Sequence, residues 1–202
     1  MILHALLREP CAARPIAGLL LLSTAASACF GAAVGCYVGR FQILYDAVKM
    51  PLFFMGTLGI SFAAMHVFAA RERRARETLA AALDTVAITA VVLGALSPIV
   101  GLVSLSCPRP SPKAYQFLVL LLASSVAAAG VTGVCRLHAR LHSPRLTAAW
   151  VVIYQFVGAQ MAWLLKPWVS HTFTDDRFLP LRENLQGNFY ESVIRTFLGF
   201  LS

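Results

Sequence analysis

A chain of 202 residues that is 58% hydrophobic and only 13% charged falls well short of the roughly one-quarter charged residues of a soluble domain. Its apolar residues gather in five continuous stretches, each of roughly 20 residues, that contain none of the 17 Lys/Arg or 9 Asp/Glu residues. An ionised side chain at the bilayer centre costs at least about 2.5 kcal/mol, so this segregation excludes a soluble globular domain. The net charge of +8 reads as contact with anionic lipid headgroups beside the spans rather than with nucleic acid.

Because the stretches are continuously apolar instead of alternating, and every backbone group in lipid must be paired internally, the sequence predicts helices and not a barrel. The expected fold is all-α: a polytopic membrane bundle of five transmembrane helices over residues 1–165, and a tail over 166–202 with a C-terminal amphipathic helix. Five cysteines without a C-x-x-C pair, mostly in or at the ends of the spans, are expected as small apolar packing residues and not as a disulfide framework.

The first span is expected from Pro15 to Val38. Arg8 and Arg14 precede it as in a signal peptide, and Ala26-Ser-Ala-Cys29 resembles a lipoprotein cleavage site, but the apolar run continues to Val38, so an uncleaved helix is the expectation. Ser23, Ser27, Gly31, Gly35 and Gly39 recur at four-residue steps and form a smooth face on which another backbone can approach closely. The expected partner of that face is the small-rich fourth span, with oligomerisation as the alternative.

The second span is expected from Met50 to Ala70. His66 near its end reads as an interfacial neutral histidine rather than a haem ligand, since no second transmembrane histidine faces it. The segment Arg71 to Asp84, with Glu72/Arg76 and Arg73/Glu77 at i, i+4 spacing, reads as a solvated helical extension. In the third span, Thr85 to Leu105, Pro98 between Gly94 and Gly101 predicts a kink.

The fourth span, Tyr115 to Cys135, is followed by RLHARLH, where His138 and His142 share a helix face but are surrounded by Arg136, Arg140 and Arg145. Two ligands among arginines are not a metal site, and no metal or other cofactor is expected. The fifth span, Thr147 to Leu165, has the most polar interior, with Tyr154, Gln155 and Gln160. In the tail, Lys166-Pro-Trp168 ends the bundle at the interface. A final helix over about 188–201 would place Phe189, Val193, Phe197 and Leu201 on one side, to lie on the membrane or dock on a partner.

Arginines near the span ends favour an N-terminus inside and a C-terminus outside, in a bacterial inner membrane: Arg71, Arg73, Arg74, Arg76, Arg136, Arg140 and Arg145 outweigh Arg40, Lys49, Arg109 and Lys113. This topology, together with Lys49-Met-Pro-Leu-Phe-Phe and Arg182-Glu-Asn-Leu-Gln-Gly-Asn-Phe-Tyr-Glu, resembles small bacterial polytopic proteins grouped with the Yip1-like family. The resemblance implies architecture and a non-enzymatic role. The eukaryotic members' acidic, tyrosine-containing segment before the first span has no counterpart in the short stretch available here.

Two functions are expected from these features. The first is an integral scaffold or accessory subunit that assembles with other membrane protein subunits, without chemistry of its own. The second is a small transporter or channel with a pathway between the third and fifth spans at Pro98, Tyr154, Gln155 and Gln160, which requires a water-accessible cavity containing Tyr154 or Gln155. An intramembrane enzyme has least support, since no base lies near a nucleophile at membrane depth and no catalytic residue is assigned.

Overall fold

A computed structural model describes residues 16–39, 41–69, 75–109, 111–166, 168 and 178–179. Among these residues the chain forms five helices: α1 (Ile16–Gly35), α2 (Gln42–Ala69), α3 (Ala75–Ser106), α4 (Pro112–Leu141) and α5 (Pro144–Leu164). All five are long and apolar enough to cross a membrane. The N-terminal residues, the α2–α3 connection at 70–74 and the expected helix with Phe189, Val193, Phe197 and Leu201 lie outside the described residues.

Helices α2 to α5 begin before their apolar stretches, whereas α1 ends at Gly35, short of Val38. With 30 residues, α4 is about 45 Å long, more than enough to cross a hydrocarbon core of about 30 Å. Serine–proline pairs set two of the starts. Ser111 Oγ accepts from the Ala114 N–H at 3.3 Å and Ser143 Oγ from the Leu146 N–H at 3.4 Å. Pro112 and Pro144 follow in the first turn, where a missing N–H costs nothing.

Consecutive helices run antiparallel. One end of the bundle therefore collects the α1–α2 turn, the α3–α4 turn and the C-terminus of α5; the other collects the α2–α3 and α4–α5 connections. Around the bundle the order is α1, α2, α5, α4, α3. The contacts of α1 with α2 and α3 are the most extensive, α4 lies on α3, α5 lies on α2, and of the helices adjacent around the bundle α4 and α5 touch least. Large apolar side chains point outward on every helix, among them Leu21, Leu44, Ile99, Leu120 and Val152, as expected where lipid is the solvent and the interior need not be more apolar than the surface.

The smooth face of α1 packs on α2 instead of the expected fourth span. A Cβ at Gly31 would overlap the Asp46 carbonyl, and one at Gly35 would lie 2.7 Å from the Gln42 carbonyl oxygen and 2.7 Å from the Ile43 Cα. The reason is chain length: the short connection at 36–41 holds α1 and α2 as a tight hairpin, so the closest backbone approach falls between sequence neighbours. Ser23 and Ser27 are fully buried, and their hydroxyls donate to the Leu19 carbonyl at 2.7 Å and the Ser23 carbonyl at 2.6 Å within α1. Gly39 belongs to the turn, with φ of +76° and its N–H on the Gly35 carbonyl at 2.9 Å; this is the left-handed stop that glycine supplies without a Cβ penalty.

The opposite side of α1 takes α3, where Gly94 meets Ala26 and Gly101 meets Ala33. Helix α3 continues through Pro98, which is exposed. The segment before Thr85 is only partly solvated: Arg76 and Glu77 are exposed, whereas Thr78 and the run from Ala81 to Asp84 are buried. His138 and His142 do not form a helical pair, because His142 caps α4 in the left-handed conformation. Of the described cysteines, Cys107 packs against the core as expected, whereas Cys29 and Cys135 are exposed.

Candidate functional site

The weak contact between α4 and α5 leaves a cavity of about 620 Å³, within the range of small-molecule sites. Its walls come from α3 at Ala82, Thr85, Val86 and Thr89, from α4 between Ala123 and Leu137, and from α5 between Trp150 and Gly158; Phe53 and Phe54 of α2 close the back. Small residues on α4, notably Ala127 and Gly130, create the space. A Cβ added at Gly130 meets nothing within 4 Å.

Two of the four pathway residues come together here: Tyr154 and Gln155 line the cavity, and Pro98 and Gln160 do not. The third and fifth spans do share a cavity, but their common wall at Thr85 and Thr89 lies about 14–20 Å along the helix from Pro98. Both threonine hydroxyls are engaged within α3, Thr85 with the Ala81 carbonyl at 2.9 Å and Thr89 with the Thr85 carbonyl at 3.0 Å. The walls therefore offer few free polar groups beyond Tyr154 and Gln155.

One end of the cavity adjoins an ion cluster that the apolar stretches alone do not reveal. Asp84 is fully buried, and its Oδ2 accepts from Arg136 Nε at 2.7 Å and from Arg140 Nε at 3.1 Å. Arg136 lies between the lining residues Cys135 and Leu137, and Asp84 between Leu83 and the lining residue Thr85. The i, i+4 spacing of the two arginines lets one face of α4 grip the carboxylate from two turns, and that spacing is legible in the sequence. Arg136 is five residues, about 7.5 Å, from the end of α4, so the cluster sits near that end of the bundle. His138 Nδ1 is 3.4 Å from the Thr147 hydroxyl, joining α4 to α5 at this end.

A second buried polar group lies at the opposite end, on α2. Gln42 Nε2 donates to Asp46 Oδ1 at 2.8 Å, and the Lys49 ammonium is 4.0 Å from the same oxygen, with both charged side chains fully buried. The apolar stretch from Met50 to Ala70 is free of charge, and these buried ions come from the part of the helix that precedes it. Helix α2 begins at Gln42, eight residues before the apolar run, and carries Asp46 and Lys49 into the bundle. Residues after α5 cover this end. The Lys49 ammonium is 5.8 Å from the Phe178 ring centroid, Phe178 meets Tyr45 edge-on at 5.3 Å, and Trp168 meets Phe53 edge-on at 6.0 Å. Trp168 Nε1 donates to the Ala162 carbonyl at 2.9 Å.

Arg109 ties the α3–α4 turn to the end of α1 by donating to the Cys36 carbonyl at 2.7 Å. His66 stacks on Phe62 at 5.9 Å in the last turn of α2. Among the described residues no group of three His, Cys, Asp or Glu side chains is placed to hold a metal ion. No protein-family model, no curated protein and no solved structure matches the chain.

Proposed function

We infer that this membrane protein binds a small apolar or weakly polar molecule in the cavity between α3, α4 and α5, as the working site of a small transporter or carrier. The observation that carries this reading is the cavity itself, bordered by the two polar residues of α5, Tyr154 and Gln155, and otherwise walled by apolar side chains and by Thr85 and Thr89, whose hydroxyls are engaged within α3. Among the described residues the cavity favours this reading over the scaffold or accessory-subunit reading, whose expected tail helix lies outside them. Much of the small-residue face on which that reading rested is turned inward, onto α2.

In the orientation favoured by the arginine distribution, the Arg136 end faces the cytoplasm of a bacterial inner membrane. The buried ions adjoin the site without lining it, so the reading assigns binding to shape and apolarity and gives Asp84, Arg136 and Arg140 the task of holding α3 and α4 together.

Native mass spectrometry of the protein released gently from membranes tests this reading. The expected result is a retained non-protein mass that is lost in Gly130→Phe, whose ring fills the cavity from a position with free space. A protein without bound mass, or with mass unchanged by Gly130→Phe, would refute it.

A further inference from the structure

We propose that the cavity takes an uncharged, lipid-soluble molecule with a carbonyl or hydroxyl oxygen set within its apolar body, and that the Tyr154 hydroxyl is the group that selects this oxygen. The proposal rests on the binding role given above and names the ligand class. Depth, hydrogen-bonding capacity and charge each narrow the choice.

Tyr154 stands ten residues, about 15 Å, from either end of α5 (Pro144–Leu164). A helix of 21 residues just covers a hydrocarbon core of about 30 Å, so in a bilayer Tyr154 and Gln155 fall near the midplane. Water is scarce at that level, and a polar group left unpaired there is costly. A bilayer phospholipid brings only the ends of its chains to this depth and offers neither residue a partner.

Both side chains line the cavity, and neither makes a side-chain hydrogen bond to another described residue. The smaller polar side chains of the cavity wall are satisfied differently. Thr85 and Thr89 donate to carbonyls one turn back in their own helix. A tyrosine hydroxyl, held at the far end of a rigid ring, cannot fold back in that way, so its partner must come from outside α5. Tyr154 is half-buried and Gln155 exposed, which makes Tyr154 the inner of the two groups and leaves Gln155 at the rim. The phenol both donates and accepts, and so suits a carbonyl or a hydroxyl.

No lining residue is charged. An ionised ligand would therefore lose its hydration without gaining a counter-charge. A plain hydrocarbon would fill the space and leave Tyr154 unpaired.

Three probes of related shape test the proposal on the full chain in phosphatidylcholine vesicles. Benzophenone carries a carbonyl between two rings and, when irradiated, links to nearby C–H bonds; diphenylmethane replaces that carbonyl by a methylene; 4-benzoylbenzoate adds a carboxylate. Crosslinked positions are mapped by peptide mass spectrometry, and diphenylmethane is measured by its competition with benzophenone. The expected result is benzophenone labelling of the cavity walls on α4 and α5, lost in Gly130→Phe, with weak labelling by 4-benzoylbenzoate. In Tyr154→Phe the half-saturating benzophenone concentration should rise about fivefold, the equivalent of one net hydrogen bond, while the affinity for diphenylmethane stays unchanged.

A Tyr154→Phe variant that treats benzophenone and diphenylmethane alike, with both affinities lowered or both unchanged, would overturn the proposal. Cavity labelling by 4-benzoylbenzoate as strong as that by benzophenone would overturn the uncharged class. Either result would leave the cavity's binding role standing. Absence of cavity labelling by benzophenone would also overturn the proposal, and the binding role would fall with it only if native mass spectrometry finds no retained mass.

Discussion

Replacing glycines by alanine tests the packing order directly, because one added methyl group has a different consequence at each position. At Gly35 the new Cβ would lie 2.7 Å from the Gln42 carbonyl oxygen, and restoring ordinary contact requires α1 and α2 to part by at least about 0.7 Å, a gap at which the lining atoms lose a quarter to a half of their dispersion attraction. The obstacle is backbone, so no side chain can rotate away. The expected loss is about 1–3 kcal/mol from overpacking, offset by up to about 1 kcal/mol from the better helix propensity of alanine.

Gly31→Ala should be worse, since its Cβ would overlap the Asp46 carbonyl and displace the turn that carries the buried Asp46–Lys49 pair. At Gly94 the nearest atom is the Ala26 Cβ at 3.1 Å, so a shift of a few tenths of an ångström suffices and the net effect should be near zero. At Gly130 nothing lies within 4 Å, and alanine should stabilise by up to about 1 kcal/mol through propensity alone. Equilibrium unfolding of the detergent-solubilised protein in mixed micelles, followed by helical circular dichroism, measures the series. The expected stability order is Gly130→Ala, Gly94→Ala, Gly35→Ala, Gly31→Ala, from most to least stable. Equal stabilities for Gly31→Ala and Gly130→Ala would refute the close α1–α2 approach.

Asp84→Asn removes the negative charge shared by two arginines and should lower stability by about 3 kcal/mol, the low end of the cost of breaking a buried pair, because the amide oxygen can still accept a hydrogen bond; the same micelle unfolding assay checks this, and no change would mean that the bridges are solvated. A double-mutant cycle of Asp84→Asn with Arg136→Gln should give a coupling energy of about 0.5–3 kcal/mol, whereas independent residues would add. His142→Gly should raise the melting temperature, since His142 holds φ at 49° and a non-glycine residue in the left-handed region carries roughly 1–2 kcal/mol of strain. Ser143→Ala, which removes the cap on the Leu146 N–H, should cost about 1 kcal/mol in the same measurement.

Much of this architecture is legible in the order of residues. The five helices follow from continuous apolarity at bilayer length, and the starts of α4 and α5 were available in Ser111-Pro112 and Ser143-Pro144, a pattern whose physical basis is a side-chain acceptor followed by a residue that needs no donor. The sequence also singled out Tyr154 and Gln155 as polar groups in an apolar span. It placed Pro98 and Gln160 beside them, and their absence from the cavity shows the limit of the argument: residues on two helices can be assigned to one face each, but their relative height and rotation depend on how the helices pack.

What the chain determines by itself is local: which segments enter the bilayer, where their backbones can turn, and at which ends positive charge collects. Each of these depends on transfer free energies and short-range geometry. Tertiary structure decided the partner of the small-residue face, the burial of Asp46, Lys49 and Asp84, and the position of the cavity. Those outcomes depend on long-range apposition. The 36–41 connection forces α1 onto α2, Arg136 and Arg140 meet a carboxylate some fifty residues away in sequence, and the space beside Gly130 exists because α4 and α5, neighbours in the chain, pack more closely against α3 and α2 than against each other.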